Sequence, residues 1–260
     1  MTKNGSAGGA DGTTAGSGDI GRSLELLWGT GDRPSRGPKP ALTLGRIVTA
    51  AVSIADAEGL DALSMRRLST DLGTGTMSLY RYVPGKAELL DLMLDHVLGE
   101  PLAGTSSDAP ADWRAALDTM ARTYLEQLSR HPWLLKINQA RTVLGPSALR
   151  GLELALARIR GMGLTDQELI STIITVNSFV EGIARTRLQT TEAVQQTGLS
   201  NDAFWEDQRP YLERAMRSGD YPLMAALSED AFSYDADHFA FGLQRLLDGF
   251  DVLVERRAGG

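Results

Sequence analysis

From Leu42 to Arg257 the apolar residues recur at three- and four-residue spacing, and no stretch alternates apolar with polar as a strand would. That periodicity restricts the chain to helices packed on helices, so the expected fold class is all-α. With 260 residues, 42% of them hydrophobic, the chain can bury a sizeable core. It has no cysteine, which removes disulfides, thiolate metal sites and cysteine nucleophiles, and fits a reducing cytoplasm. Three histidines (His96, His131, His238) are too few for a histidine metal cluster, and neither a metal nor a cofactor is expected. The most apolar stretch, residues 169–184, is interrupted by Ser171, Thr172, Asn177, Ser178 and Glu181, so no membrane span is expected.

Residues 1–19 are rich in Gly, Ser, Ala and Thr, with no apolar core for a signal peptide and little to offset the entropy of ordering. Residues 20–28 could form one or two helical turns, and residues 29–40 carry three Pro and three Gly. Residues 1–40 are therefore read as a disordered tail and linker, with Arg33, Arg36 and Lys39 as a basic arm suited to a polyanion. Thr43 is placed to cap a helix reaching Glu58, with Gly59 as its stop. Ser64 caps a short helix to Leu72, another runs from Thr76 to Tyr82 or Val83, and Lys86 opens a longer one to about Gly99. Further helices are expected from Asp108 or Pro110 to Arg130, at Pro132, over 146–161, and from the capping box Thr165…Glu168 to Thr197. Residues 201–218 should be helical with a kink or break at Pro210, and residues 235–257 form the last helix.

The informative stretch is LSMRRLSTDLGTGTMSLYRYVPGKAELL, residues 63–90. It reads as two short helices joined by a Gly-containing turn, a helix-turn-helix. In such a unit the second helix lays its first residues on base edges in the major groove. Here that helix offers Thr76, Met77, Ser78, Tyr80, Arg81 and Tyr82, with only Leu79 and Val83 left for a core. Arg81 can fork onto a guanine or a phosphate, Thr76 and Ser78 can bond either, Met77 can meet a thymine methyl, and the tyrosine hydroxyls suit phosphates. Arg66 begins the bracing helix and Lys86 the following one. The overall charge of −7 hides a partition: residues 33–86 carry +4, residues 1–32 carry −2 and residues 87–260 carry −9. The positive charge sits where phosphates would be met.

AAVSIADAEG, LSMRRLSTDLG and SLYRYVPGKAELL together resemble the N-terminal domain of the tetracycline-repressor (TetR) family, strongly over residues 42–99. The all-helical remainder resembles the ligand-binding and dimerisation domain of the tetracycline-repressor branch. The resemblance implies a helix-turn-helix domain at residues 41–86 and a regulatory domain at 87–260. It implies DNA contacts from Arg66, Thr76, Met77, Ser78, Tyr80, Arg81, Tyr82 and Lys86. It implies a homodimer on double-stranded operator DNA, repressing transcription until a small-molecule effector shifts residues 86–99. Two helices, 165–189 and 237–256, would supply the dimer bundle, with Ile170, Ile173, Ile174, Val180, Ala184, Phe239, Leu243, Leu246, Leu247, Phe250 and Leu253 as their apolar positions. Effector contacts are expected from polar or aromatic groups on otherwise apolar helices: Trp113, Trp133, Asn138, Asn177 and Glu181. Residues 136–141 hold no histidine, so the family's magnesium–tetracycline ligand is not carried over.

Two other classes compete. An enzyme would need a catalytic motif, and GxSxG, HExxH, a Walker lysine and a dinucleotide glycine fingerprint are all missing. A helical small-molecule-binding or interaction protein of the same fold, without DNA binding, would not need Arg66, Tyr80, Arg81 and Lys86.

Overall fold

The computed structural model describes residues 13–29, 42–102, 112–228, 231 and 237–259. Among them all regular elements are helical, as the periodicity requires, and one isolated β-bridge joins Thr14 to Asn138. The chain forms two compact units, residues 1–173 and 174–260.

In the first unit, α1 (Ile20–Trp28) precedes α2 (Leu44–Glu58), α3 (Met65–Asp71), α4 (Thr76–Tyr80) and α5 (Lys86–Gly99). The local signals act as read. Thr43 accepts from the Arg46 amide, Ser64 from the Arg67 amide, and Gly59 leaves α2 at φ 85°. Helix α4 ends at Tyr80, two or three residues short of the expected Tyr82 or Val83, although the Val83 amide still donates to the Leu79 carbonyl at 2.9 Å. Ile47, Ala51 and Ile54 of α2, Leu68 of α3, Leu79 of α4, and Leu89, Leu90 and Met93 of α5 close one buried core. Leu79 is the single buried residue of α4, so one side chain anchors this five-residue helix in the core. Leu79→Ala should cost about 2–5 kcal/mol, and denaturant unfolding of the variant checks this.

Helices α6 (Trp113–Arg130) and α7 (Pro146–Ile159) complete the packing around α5, with a 3-10 turn, Pro132–Lys136, between them. Helix α6 is capped by Asp112, which accepts from the Arg114 amide, while the expected start at Asp108 or Pro110 lies outside the described residues. Helix α7 is capped from elsewhere. Gly145 has no side chain, and the buried Asp95 of α5 accepts from the amides of Ser147 and Ala148 at 3.3 and 3.0 Å. A Cβ on Gly145 would collide with that carboxylate.

The largest departure concerns the expected tail. Residues 13–29 are packed, with Ala15 and Ser23 buried, so disorder is not the rule there. The composition misleads for a physical reason: small residues let the backbone approach closely. Gly16 takes φ +64°, and Gly18 lies where any Cβ would strike the Glu88 carboxylate. Arg33, Arg36 and Lys39 lie outside the described residues.

Helix α8 (Asp166–Thr197) begins in the first unit, and the capping box at its start is present in both directions, Thr165 with Glu168. The second unit holds the rest of α8, α9 (Asn201–Arg217), α10 (Pro222–Ala225) and α11 (His238–Ala258). Phe179 stacks on Phe239 at 5.9 Å and presses on Gly242. Val180, Ala184, Phe239, Leu243 and Leu247, expected at a dimer seam, are buried within the single chain. Pro210 does not divide α9. No residue of that helix is buried, so water can solvate the carbonyl that the missing N–H leaves free.

Candidate nucleic-acid interface

The turn between α3 and α4 is built by short-range bonds. Gly73 takes φ +62° and donates to the Thr70 carbonyl, while the Thr74 amide donates to Ser69. The Ser69 and Thr76 hydroxyls lie 3.0 Å apart, tying the first residue of α4 to the bracing helix. Leu79 then fixes the rotation of α4 about its axis. That leaves Met77 76% exposed, with Tyr80, Arg81 and Arg66 also exposed.

The three arginines of this region differ. Arg67 is paired with Glu58 at 2.6 Å and with Asp71 at 3.4 Å. Its hydrogen bond holds the Glu58 carboxyl below the usual range, and Glu58 in turn raises Arg67. The contribution is present above the ordinary carboxylate pKa and is lost as pH falls through the lowered value. Arg66 and Arg81 make no side-chain hydrogen bond or ion pair among the described residues. Residues 76–83 contain no acid. The surface therefore presents two unpaired guanidinium groups, hydroxyls at Thr76, Ser78 and Tyr80, and a methionine, with no anion on the helix that carries most of them. This combination favours phosphates and base edges.

Two of the expected contacts have internal partners. The Tyr82 hydroxyl donates to the Leu42 carbonyl at 3.0 Å, tying the chain after α4 to the start of α2. The Lys86 ammonium donates to the Leu60 carbonyl at 3.2 Å, which leaves it two further donors.

Behind this surface lies a polar knot that the sequence did not disclose. His131, 3% exposed, places Nδ1 2.8 Å from Asp56 Oδ1 and Nε2 3.1 Å from Glu100 Oε2. The buried Trp133 donates its indole N–H to the same Asp56 oxygen at 2.7 Å. Asp56 is in the last turn of α2, so the knot ties the helix behind the reading surface to the 3-10 turn after α6. In sequence His131 is only one of three scattered histidines. Its partner Asp56 is 75 residues away, and no local pattern signals it.

The residues expected around an effector are placed as follows. In the first unit Trp113 is half-buried, Trp133 is closed in by Asp56, and Asn138 is exposed with its side-chain oxygen accepting from the Ala140 amide. In the second unit Asn177 and Glu181, one turn apart on α8, are both half-buried. Arg158 of α7, which sequence reasoning passed over, has a buried Nε with no hydrogen-bond partner. Among the described residues no cluster of three or more acids and histidines could hold a metal. None of the described helices is long and apolar enough to cross a membrane.

Known proteins share this arrangement. Residues 47–93 match the signature of bacterial regulatory proteins of the tetR family. Residues 106–254 match the tetracyclin repressor-like C-terminal domain. The chain is 61% identical to the HTH-type transcriptional repressor DrrR1 of Streptomyces coeruleorubidus, over 95% of this chain and 91% of that one. It is similar to the crystal structure of apo ActR from Streptomyces coelicolor, with a TM-score of 0.67 and 31% identity over 84% of this chain and 99% of that one. It is equally similar to ActR in complex with actinorhodin, with a TM-score of 0.67 and 32% identity over 82% and 96% of the two chains. The helix-turn-helix with its two unpaired arginines, the all-helical remainder and these likenesses agree: the chain belongs to the TetR family, as a DNA-binding transcriptional repressor rather than an enzyme.

Proposed function

We propose that this repressor grips its operator through Arg66, Thr76, Met77, Ser78, Tyr80 and Arg81, acts as a homodimer, and is released by a small molecule bound within residues 87–260. The observation that carries the DNA reading is the pair of unpaired guanidinium groups, Arg66 and Arg81, on the exposed side of α3 and α4. Lys86 adds a phosphate contact through its remaining donors, and Tyr82 acts mainly by holding α4 on α2.

The dimer reading rests on apolar surface. In the second unit Ile174, Phe241 and Val252 are exposed, as are Phe204, Trp205, Tyr211 and Leu212 of α9. Exposed apolar groups in such number favour a partner surface, and two reading helices per complex suit half-sites one DNA turn apart.

The effector reading rests on unpartnered polar groups. In the first unit the Trp113 indole N–H makes no hydrogen bond among the described residues, and the Arg158 Nε is buried without an acceptor. ActR is known in complex with actinorhodin, and by similarity this chain takes a small molecule of its own. Acceptor oxygens on that molecule would complement Arg158.

Selection of duplexes from a random library by the intact chain tests this function. The expected product is an inverted repeat with half-site centres about 10 base pairs apart. Recovery of no enriched sequence would contradict it.

A further inference from the structure

Residues 13–29 lie outside both matched family regions, yet they hold two buried carboxylates of α5. The Gly16 amide donates to Asp91 Oδ1 at 2.8 Å and the Ser23 hydroxyl to Asp91 Oδ2 at 2.7 Å. The Asp19 amide donates to Glu88 Oε1 at 2.9 Å. These are the only hydrogen bonds that the Asp91 and Glu88 side chains make among the described residues. Asp91 is 2% exposed, Glu88 7%, and Ser23 fully buried. A buried anion keeps its place only while hydrogen bonds replace its lost water. The partners of both anions come from this one segment.

The same segment is fixed at two further points. Asn138 exchanges main-chain bonds with Thr13 and Ala15, each 3.0 Å, and the Trp28 indole N–H donates to the Leu144 carbonyl at 3.3 Å. The segment thus bridges α5 to the loop that follows the 3-10 turn carrying Trp133. On α5 its hold falls at Glu88 and Asp91, within two turns of Lys86 and of the Pro84-Gly85 turn that leads out of the recognition helix.

We propose that residues 13–29 are a positioning clasp for operator binding: through Ser23 and Asp91 they fix the first half of α5, and with it the placing of α4 and Lys86. The clasp opposes any movement of α5 against the 138–144 loop. The proposal rests on the DNA-binding reading above. The glycines at 16 and 18 suit this packing, since a side chain would strain the backbone of Gly16 and block the close approach at Gly18.

The test uses the full chain and a duplex that the wild type selects from a random library. If the wild type selects no duplex, the DNA-binding reading fails and the clasp falls with it. Given such a duplex, Ser23→Ala and Asp91→Asn should each weaken its binding at least fivefold. Combined they should weaken it by less than the product of the two, because one bond is removed in both. Amide exchange should accelerate together in residues 86–99 and 138–144. Leu125→Ala, at a buried leucine of α6 outside the clasp and α5, is the control for lost stability, and its operator affinity should stay within twofold of wild type. If Ser23→Ala lowers the melting temperature but leaves operator affinity within twofold of wild type, the clasp is only a brace and the proposal is overturned. Unchanged exchange at 138–144 overturns it as well.

Discussion

Arg81→Ala should weaken binding to the selected duplex by about 5- to 150-fold while leaving the helical content and melting temperature unchanged. Arg81 follows the last residue of α4, is exposed, and has no partner among the described residues, so its removal breaks no contact that holds the fold. What it loses lies on the DNA side. A bidentate arginine contact is worth about 1–3 kcal/mol of base discrimination. A lost phosphate contact weakens specific and nonspecific complexes alike and flattens the salt dependence by about one charge. A gel shift at two salt concentrations separates the cases. A steep loss on the selected duplex only means that Arg81 reads a base; a parallel loss on random DNA means that it meets a phosphate. Retention of the selected duplex at wild-type affinity would exclude Arg81 from the interface.

The second large effect concerns stability and the route between the halves of the first unit. Trp133→Ala should destabilise the chain by about 3–5 kcal/mol, the range for a buried aromatic truncated to alanine. Trp133 is among the largest fully buried side chains, and its indole N–H is one of two donors on Asp56 Oδ1. Trp133→Phe keeps most of the packing and deletes that donor. It should cost about 1–2 kcal/mol, the value of a hydrogen bond to a charged group with a second donor still in place. Urea unfolding of the two variants separates packing from polar coupling. Trp133 is expected at the effector as an aromatic group on an otherwise apolar helix. The structure gives its polar edge a different partner, in the last turn of α2.

What could be read from sequence was local. Thr43, Ser64 and the Thr165…Glu168 box act within three residues of themselves, and each appears where its chemistry places it. The local absence of acids beside Arg81 was also legible, since residues 76–83 contain none, but only the fold shows that no distant acid among the described residues pairs with it. What could not be read was distant. Tyr82 meets Leu42 across 40 residues, Lys86 meets Leu60 across 26, and His131 meets Asp56 across 75. A phenol or ammonium that looks free in sequence can be bound by a carbonyl that only the fold brings near. The N-terminal segment shows the same limit in another form. Gly and Ser were read as absence of structure, whereas at Gly16, Gly18 and Ser23 small size permits contact with buried carboxylates. The dimer seam was over-read for a related reason: an apolar stripe on α11 looks the same whether it meets α8 of its own chain or of a partner, and Phe239 meets Phe179 of its own.

The central claim is that the exposed side of α3 and α4 grips a specific duplex as a symmetric pair. Hydroxyl-radical footprinting of the intact chain on its selected duplex tests it most directly. Protection should fall in two patches on one face of the DNA, about 34–36 Å apart, flanking two successive major grooves. A single patch, or uniform protection along the duplex, would contradict it.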